Sequence, residues 1–267
     1  VLDLAPEIND PAEPKHAGGE KGHVEFQRVT FSYPGAEEPA IYDISFEARP
    51  GETTAIIGGT GAGKSTLVGL IPRFYDVEEG CVLVDGVDVR ELTQEELRAK
   101  IGFVPQKALL FSGTITENIR YGKEDASDGE VQHAADIAQA SEFVSEMPER
   151  LASIIAQGGI NVSGGQKQRL SIARAIVRRP EIYVFDDSFS ALDFTTDARL
   201  RAALRSETRG ATVLIVSQRV GTVMDADRII VLDEGHIAGI GTHQQLMQTS
   251  LVYREIVSSQ LSLDEIA

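Results

Sequence analysis

Short runs of apolar residues, of strand length and separated by turn residues, recur along most of the chain. Residues 23–33 alternate apolar and polar side chains, and this period of two predicts a strand with one buried face. Residues 53–57 form a nearly continuous run of β-branched side chains, which is typical of a strand buried on both faces. Similar patterns predict strands at 44–48, 182–185, 212–216 and 228–232, and a hairpin around Asp85-Gly86 at 82–89.

Helical patterns separate these strands. A helix is expected from about residue 64 to residue 71, where Pro72 stops it, and another over 244–260. Residues 107–179 carry helical patterns and acidic turns with few strand runs, which predicts a helical insertion. Because helices alternate with strands, the chain is expected to be an α/β protein with a parallel sheet covered by helices.

Composition narrows the function. The chain has 267 residues, 42% of them hydrophobic, and a formal net charge of −16. This acidic balance argues against nucleic-acid binding, which needs a basic surface, but it is compatible with a local phosphate site. The single cysteine, Cys81, excludes an internal disulfide framework and favours a reducing compartment. No apolar stretch approaches the roughly 18 residues of a membrane helix.

The two ends of the chain differ in composition from the rest. Residues 1–22 are rich in Pro, Glu, Asp, Gly and Lys without an apolar period, which predicts a linker. The chain starts at Val1 rather than Met and has no basic region or apolar core of a signal peptide. We therefore expect a piece of a longer protein, with a linker at 1–22, one folded domain at 23–260 and a C-terminal tail at 261–267.

A glycine-rich segment directly follows the predicted buried strand at 53–57. It matches the pattern G-x-x-x-x-G-K-[ST] and precedes a predicted helix, which is the context of a phosphate-binding P-loop. Glycines let backbone N–H groups converge on phosphate oxygens, Lys64 supplies positive charge, and Ser65 offers a hydroxyl to Mg²⁺. The alternative is a glycine-rich turn with an exposed lysine. The predicted nucleotide-binding residues here are Gly58, Gly59, Thr60, Gly61, Ala62, Gly63, Lys64, Ser65 and Thr66.

An acidic residue follows a second apolar strand. Residues 182–185 are apolar, and Asp186 comes next, at the carboxyl end where ligands of open parallel sheets bind. Ser65 and Asp186 are together predicted to hold Mg²⁺, and Asp186 is predicted to do so through water. An acid that merely ends a strand is the alternative, and the nearby P-loop favours the metal.

A second glycine loop occurs at 161–166. Ser163 and Gln166 have the spacing of a capping box, which predicts that a helix begins here. An ordinary capped helix start accounts for this pattern. The functional alternative is a second anion site, in which Ser163, Gly164, Gly165 and Gln166 present backbone N–H groups and the helix dipole to a phosphate.

With these motifs in this order, the chain resembles the nucleotide-binding domain of ATP-binding-cassette (ABC) transporters from residue 23 to about 260. The family signature is Leu-Ser-Gly-Gly-Gln, and Val162 here replaces the leucine. The resemblance implies that Tyr33 stacks on adenine and that Gln106 senses both Mg²⁺ and the membrane domain. It also implies that Asp193 lies in a loop that crosses the interface between two nucleotide-binding domains.

The resemblance implies a fold and a set of ligands. A P-loop core, at about 50–106 and 180–241, is expected beside an antiparallel β subdomain and an α-helical subdomain at 107–179. ATP and Mg²⁺ are the implied cofactors. The implied location is the cytoplasmic face of the cell membrane for the whole transporter, with the isolated domain soluble.

Besides Val162, three positions depart from the family pattern. Asp187 stands where a glutamate usually polarises the attacking water, Gln218 where a histidine usually contacts the γ-phosphate, and Gln157 where exporters usually carry a glutamate. Because aspartate is one methylene shorter, we expect the Asp187 carboxylate to be withdrawn from the water by on the order of 1 Å, and such misplacement can cost about 10²-fold in rate. Gln218 donates a hydrogen bond but cannot take up a proton as histidine does. With Gln106 as the third catalytic residue, the expectation is slow ATP hydrolysis.

The implied partners follow from the family architecture, in which two domains sandwich two ATP molecules head to tail. An impaired P-loop site beside a nearly intact signature resembles one half of a heterodimeric exporter, whose partners are a membrane-spanning domain and a second ABC domain on a different chain. One alternative is a fully active symmetrical homodimer, and another is a regulatory module that holds ATP without hydrolysing it. Soluble relatives in DNA repair or translation carry coiled-coil or second-cassette insertions, which do not occur in this sequence.

Overall fold

The computed structural model describes residues 8–260. Its strands are β1 (Val24–Phe31), β2 (Ile41–Ala48), β3 (Thr53–Gly58), β4 (Glu79–Val84), β5 (Val87–Asp88), β6 (Ile101–Val104), β7 (Gly113–Thr114), β8 (Ile154–Ile155), β9 (Ile182–Asp186), β10 (Thr212–Val216), β11 (Arg228–Asp233) and β12 (His236–Gly241). Its helices are α1 (Lys64–Gly69), α2 (Gln94–Ala99), α3 (Ile115–Arg120), α4 (Asp128–Ile137), α5 (Ser141–Glu146), α6 (Gly164–Arg178), α7 (Phe194–Glu207), α8 (Val220–Val223), α9 (His243–Thr249) and α10 (Leu251–Gln260). Two short 3₁₀ turns, Arg150–Ala152 and Gln157–Gly159, flank β8.

The central layer is a six-stranded sheet in the order β12-β11-β3-β10-β9-β6. Five of its strands run parallel, and β12 pairs antiparallel at one edge. Every residue of β9 and β10 is buried, as the continuous apolar runs predict. The predicted parallel sheet is therefore confirmed. Because these strands are parallel, the residues that follow β3, β9 and β10 all emerge at one edge of the sheet.

The second layer is an antiparallel sheet in the order β2-β1-β4-β5, which confirms the expected antiparallel subdomain. Its apolar face shares one core with α1 and the central sheet, where Phe26 and Ile56 are both at most 1% exposed. The register of β1 shifts after Phe26, and Arg28 takes a left-handed conformation with φ 49°. This bulge returns Val29 to the buried face, which strict alternation does not predict.

The hairpin between β4 and β5 forms where it was predicted. Asp85 and Gly86 have φ values of 52° and 79°, so both central residues are left-handed, as a type I′ turn requires. Asp85 is also only 2% exposed, which is unusual for an acidic turn residue.

Helices α3 to α6 lie between β6 and β9 in the chain. The longest of them, α6, packs its apolar stripe, including Leu170 and Ile176, into a core shared with α3, α4 and the buried face of β9. Because α6 leads directly into β9, one α–β unit carries the second glycine loop at its start and Asp186 at its end.

The structure describes residues 8–22 of the segment before β1, and these residues lie along the domain. The backbone N–H of Gly22 donates to Asp85 Oδ1 at 2.6 Å, and Gly19 N donates to the Asp85 carbonyl oxygen at 2.9 Å. The remaining parts of the predicted linker and tail, 1–7 and 261–267, are outside the described residues.

The segment 244–260 is helical as predicted, but it forms two helices, α9 and α10, rather than one. The backbone of Ser250 is extended (φ −109°, ψ 117°), which ends α9. Its hydroxyl accepts a hydrogen bond from the backbone N–H of Tyr253 at 3.2 Å, so the serine starts α10 instead of continuing α9. The helix predicted over 64–71 also ends earlier, at Gly69. None of the described helices combines the length and apolar character needed to span a bilayer.

Candidate nucleotide site

The site lies at the carboxyl edge of the central sheet. Strand register places Val216 of β10 beside Asp186 of β9 on one side and beside Ile56 of β3 on the other. Gly58, the last residue of β3, pairs with Leu232. The glycine loop, the acidic pair after β9 and the polar residues after β10 therefore converge on one edge.

Two glycines of the loop occupy positions that a side chain cannot share. A Cβ on Gly58 would collide with the carbonyl oxygen of Leu232 in the neighbouring strand. Gly63 has φ 92°, and a Cβ there would lie 2.7 Å from the carbonyl oxygen of Ala40. Glycine at these two positions therefore lets the loop pack closely against Leu232 and Ala40.

Lys64 is 7% exposed, and its ammonium group folds back over the loop. Its Nζ donates to the carbonyl oxygens of Gly58 (2.9 Å) and Gly59 (2.6 Å). Burial lowers the pKa of the Lys64 ammonium, and the nearby carboxylates of Asp187 and Asp186 oppose this shift. The loop thus holds a positive charge that has lost much of its hydration, a setting that favours an anionic ligand.

Ser65 and Asp186 form a pair suited to Mg²⁺. The Ser65 hydroxyl donates to Asp186 Oδ1 at 2.8 Å. Burial raises the pKa of the Asp186 carboxyl above its usual range, and the hydrogen bond from Ser65 partly opposes the shift. Among residues 8–260 there is no cluster of three or more His, Cys, Asp or Glu side chains of the kind that binds a metal without help. One carboxylate and one hydroxyl, completed by water and phosphate oxygens, match the preference of Mg²⁺ rather than of a metal held by protein alone.

Asp187 and Gln106 are in direct contact. Gln106 Nε2 donates to Asp187 Oδ2 at 3.0 Å, although the two residues are 81 positions apart in the chain. Asp187 is 8% exposed and has φ 45°, a left-handed conformation that is uncommon for a residue with a side chain. The turn after β9 therefore directs this second carboxylate toward Gln106.

Most of the residues predicted around the P-loop line one open cleft of about 370 Å³, within the usual range of small-molecule sites, whereas Gly58, Gly59, Ala62 and Asp186 do not form part of its lining. Tyr33 forms part of its wall, with its hydroxyl 2.9 Å from Thr66 Oγ1 and its ring packed edge-on against Phe31 and Tyr75. The predicted residues that line the cleft are Tyr33, Thr60, Gly61, Gly63, Lys64, Ser65, Thr66, Gln106, Asp187 and Gln218. Ala40 and Val216 also line it, although no sequence motif pointed to them.

The second glycine loop lies elsewhere. Within the described chain, Ser163–Gln166 do not line the cleft, and neither does Asp193. The predicted capping box is present: Gln166 N donates to Ser163 Oγ at 3.3 Å, and Ser163 N donates to Gln166 Oε1 at 2.9 Å. Asp193 caps α7 by accepting from Thr196 N at 2.9 Å. Ser163, Gly164 and Asp193 are exposed, whereas Gly165 and Gln166 are half-buried, and a Cβ at Gly165 would lie 3.0 Å from the Ala191 carbonyl oxygen. These residues form a surface separate from the cleft.

Arg219 connects this surface with the cleft, and nothing in the sequence pattern indicated it. Its guanidinium donates to the carbonyl oxygens of Ser190 (2.7 Å) and Leu192 (3.2 Å). It also lies 6.0 Å from the ring of Phe194, which is 79% exposed. The residue after Gln218 therefore reaches into the loop that precedes α7.

The chain was compared with known families, curated proteins and solved structures. Residues 41–190 match the family model described as ABC transporter. The chain is 50% identical over 264 residues to an uncharacterized ABC transporter ATP-binding protein of Mycobacterium bovis, covering 97% of this chain and 45% of the relative. It is 42% identical over 267 residues to the beta-(1→2)glucan export ATP-binding/permease protein NdvA of Rhodopseudomonas palustris. This match covers 100% of this chain and 44% of the relative.

A solved structure is also similar. A bacterial Atm1-family ABC exporter with ATP bound superimposes with a TM-score of 0.93 at 36% identity, over 98% of this chain and 46% of that chain. The chain thus spans less than half the length of these relatives. The fold, the motifs in their order and the matched family model agree, and the chain belongs to the ABC transporter family as a nucleotide-binding domain related to those of ABC exporters.

Proposed function

We propose that the chain binds Mg-ATP in the cleft at the carboxyl edge of the central sheet. The observation that carries this proposal is the buried Lys64 ammonium beside the Ser65–Asp186 pair. Lys64 would exchange its two carbonyl partners for β- and γ-phosphate oxygens, and Ser65 and Asp186 would hold Mg²⁺. Tyr33, on the wall of the cleft, would stack on the adenine.

The bound nucleotide would drive transport by an attached membrane domain. Two of the similar proteins are named for export, and each is about twice as long as this chain. A membrane-spanning domain of the same transporter is therefore the proposed partner, which places this domain at the cytoplasmic face of the cell membrane. Conformational work would come from ATP binding more tightly to the closed state than to the open state.

Hydrolysis in this chain's own P-loop site is proposed to be slow. Asp187 carries one methylene fewer than glutamate, and its Oδ2 is engaged by Gln106 at 3.0 Å. A base must come within hydrogen-bond reach of the attacking water, and this carboxylate is both shorter and already paired. Gln218, exposed on the cleft, offers a neutral amide to the γ-phosphate.

The second glycine loop is proposed to complete the site of another chain. Ser163 and its neighbours face solvent at the start of α6, apart from the cleft of their own chain. Their backbone N–H groups and the N-terminal end of a 15-residue helix favour an anion. A partner that carries the usual glutamate and histidine would place its ATP against this loop, and the pair would form a heterodimer with one strong and one weak site.

Four chains test the hydrolytic part of the proposal: the unmodified chain, Asp187→Glu, Gln218→His and the double variant. Neither single change is expected to recover full activity. Asp187→Glu restores the reach of the carboxylate toward the water but leaves Gln218 at the γ-phosphate. Gln218→His restores a side chain that can carry a proton but leaves the water poorly held. Groups that act as a unit are non-additive, so the double variant should exceed the product of the single effects. Phosphate release at saturating Mg-ATP and matched protein concentration is the measurement.

Binding of a fluorescent ATP analogue is the control, and all four chains should bind it similarly because the P-loop is unchanged. Brisk phosphate release by the unmodified chain would contradict the slow-site proposal and favour a symmetrical, fully active homodimer. A double variant that binds ATP but hydrolyses it no faster would favour a regulatory module and direct attention to Val162 and Gln157.

A further inference from the structure

The side chain of Gln260, at the end of α10, holds the segment that carries Gln218. Its Oε1 accepts from the backbone N–H of Val220 at 2.9 Å. Its Nε2 donates to the backbone carbonyl oxygen of Gln218 at 2.7 Å. One amide group therefore contacts the backbone on both sides of Arg219, from about 40 positions further along the chain.

These two contacts satisfy backbone groups of the segment that includes Gln218 and Val220. Val220 begins α8, a helix of four residues whose preceding residue makes no side-chain cap. The first N–H groups of a helix lack partners within the helix, and Gln260 supplies one from outside. The backbone carbonyl oxygen of Gln218, just before the helix, accepts a hydrogen bond from the Nε2 of the same amide.

The base from which Gln260 reaches is firmly packed. Tyr253 and Val257 of α10 are fully buried in a core that includes Val220 and Val223 of α8. Gln260 itself is exposed, so its contribution is polar rather than apolar burial. Because α10 is packed into this core, the Gln260 amide links the segment beside the cleft to a buried helix.

The segment is also held by Arg219, whose guanidinium donates to the carbonyl oxygens of Ser190 and Leu192. Gln218 therefore lies between two anchors, the loop before α7 and the end of α10. Removal of either anchor would therefore leave the backbone around Gln218, which lines the cleft, with fewer contacts.

We propose that Gln260 is a positioning residue for Gln218 and, through it, for the γ-phosphate end of the nucleotide. This proposal rests on the proposed function of the cleft in binding Mg-ATP. It assigns the end of α10, which forms no part of the cleft, a role in the reaction and not only in the fold.

The test separates the two hydrogen bonds with two variants of the full chain. Gln260→Ala removes both, whereas Gln260→Glu keeps an acceptor for Val220 N–H and sets a carboxylate against the Gln218 carbonyl. We expect both variants to lower the kcat of phosphate release by about 3- to 10-fold, the range of one lost hydrogen bond, without changing the KM for ATP. Only Gln260→Ala should also speed amide exchange at Val220.

Two comparisons distinguish positioning from a general structural effect. In a Gln218→Ala background, Gln260→Glu should have no further effect on kcat, because no side chain remains to be aimed. Gln248→Ala on the surface of α9 is the matched control and should leave kcat, KM and exchange at Val220 unchanged. An equal loss of kcat in both backgrounds, or a kcat unaffected by Gln260→Glu, would overturn the proposal.

A second readout works without turnover. If the unmodified chain binds Mg-ATP, the nucleotide should slow amide exchange over residues 217–220, and Gln260→Glu should abolish that protection. Equal protection in the two chains would overturn the role of Gln260 while leaving the proposed function intact. A chain that binds no ATP analogue would overturn both proposals together.

Discussion

At the scale of single residues, the cleft is built around charges that the fold removes from water. Lys64, Asp186 and Asp187 are each at most 8% exposed and lie within one edge of the sheet. Opposite charges in such surroundings partly offset the free-energy cost of desolvation, whereas a buried charge without a partner would be strongly destabilising. A ligand that brings phosphate and Mg²⁺ supplies each of these groups with a further partner of opposite charge.

Lys64→Ala tests this arrangement directly. Removal of the ammonium should weaken binding of a fluorescent ATP analogue by roughly 10- to 100-fold, because a hydrogen bond to a charged group contributes about 1.5–3 kcal/mol. Titration in the presence of Mg²⁺ is the measurement. Lys123→Ala, which removes a surface lysine paired with Glu130, is the control and should bind the analogue normally. Unchanged affinity in Lys64→Ala would rule out the P-loop as the phosphate site.

At the scale of elements, the helix starts show how local chemistry places functional groups. Capping boxes begin α3, α4, α6 and α9, with a Ser or Thr at the cap and a Glu or Gln three residues later. In α6 the cap is Ser163, so the group that satisfies the helix start also stands at the head of the proposed anion site. In α9 the cap is Thr242, with no nucleotide role assigned to it.

This pairing gives a matched experiment. Ser163→Ala and Thr242→Ala should each lower the free energy of unfolding by about 1 kcal/mol, the usual effect of a lost N-cap. Urea denaturation measures that effect. In the Asp187→Glu/Gln218→His chain, only the Ser163 change should also reduce phosphate release, since only that loop would face a second chain's ATP. Equal phosphate release in both variants would confine Ser163 to a structural role.

At the scale of the whole molecule, the two proposed nucleotide-binding surfaces belong to one α–β domain but do not meet within a chain. The cleft lies at the ends of β3, β9 and β10, and the second loop lies at the start of α6. A head-to-tail pair of chains would bring each loop to the other chain's cleft. The net charge of −16 on every copy opposes such pairing between identical chains.

The state of assembly should therefore depend on nucleotide and salt. Without ATP the chain should be monomeric in light scattering, because no ligand bridges the two surfaces. With Mg-ATP, weak self-association should appear and should strengthen as salt screens the repulsion between acidic copies. A tight dimer without nucleotide, or one that salt dissociates, would contradict this view of the interface.

Much of the fold and of the site was predictable because it depends on residues adjacent in the chain. The buried strands at 182–185 and 212–216, the glycine loop with Lys64 and the turn at Asp85-Gly86 are each specified by a few consecutive side chains and their allowed backbone conformations. The same holds for the capping box at Ser163. Asp186 was predicted as a site residue because the ligands of open parallel sheets bind at the carboxyl ends of the strands.

Only the tertiary structure decided the features that join distant parts of the chain. The bulge at Arg28 and the break at Ser250 depend on which face or neighbour the following residues must reach, and local periodicity does not contain that information. The bond from Gln106 to Asp187 spans 81 positions. The amide of Gln260 reaches the Gln218 segment across about 40. Sequence alone determined which chemical groups this protein possesses, whereas packing determined which of them touch, because contact between remote residues is a property of the assembled core.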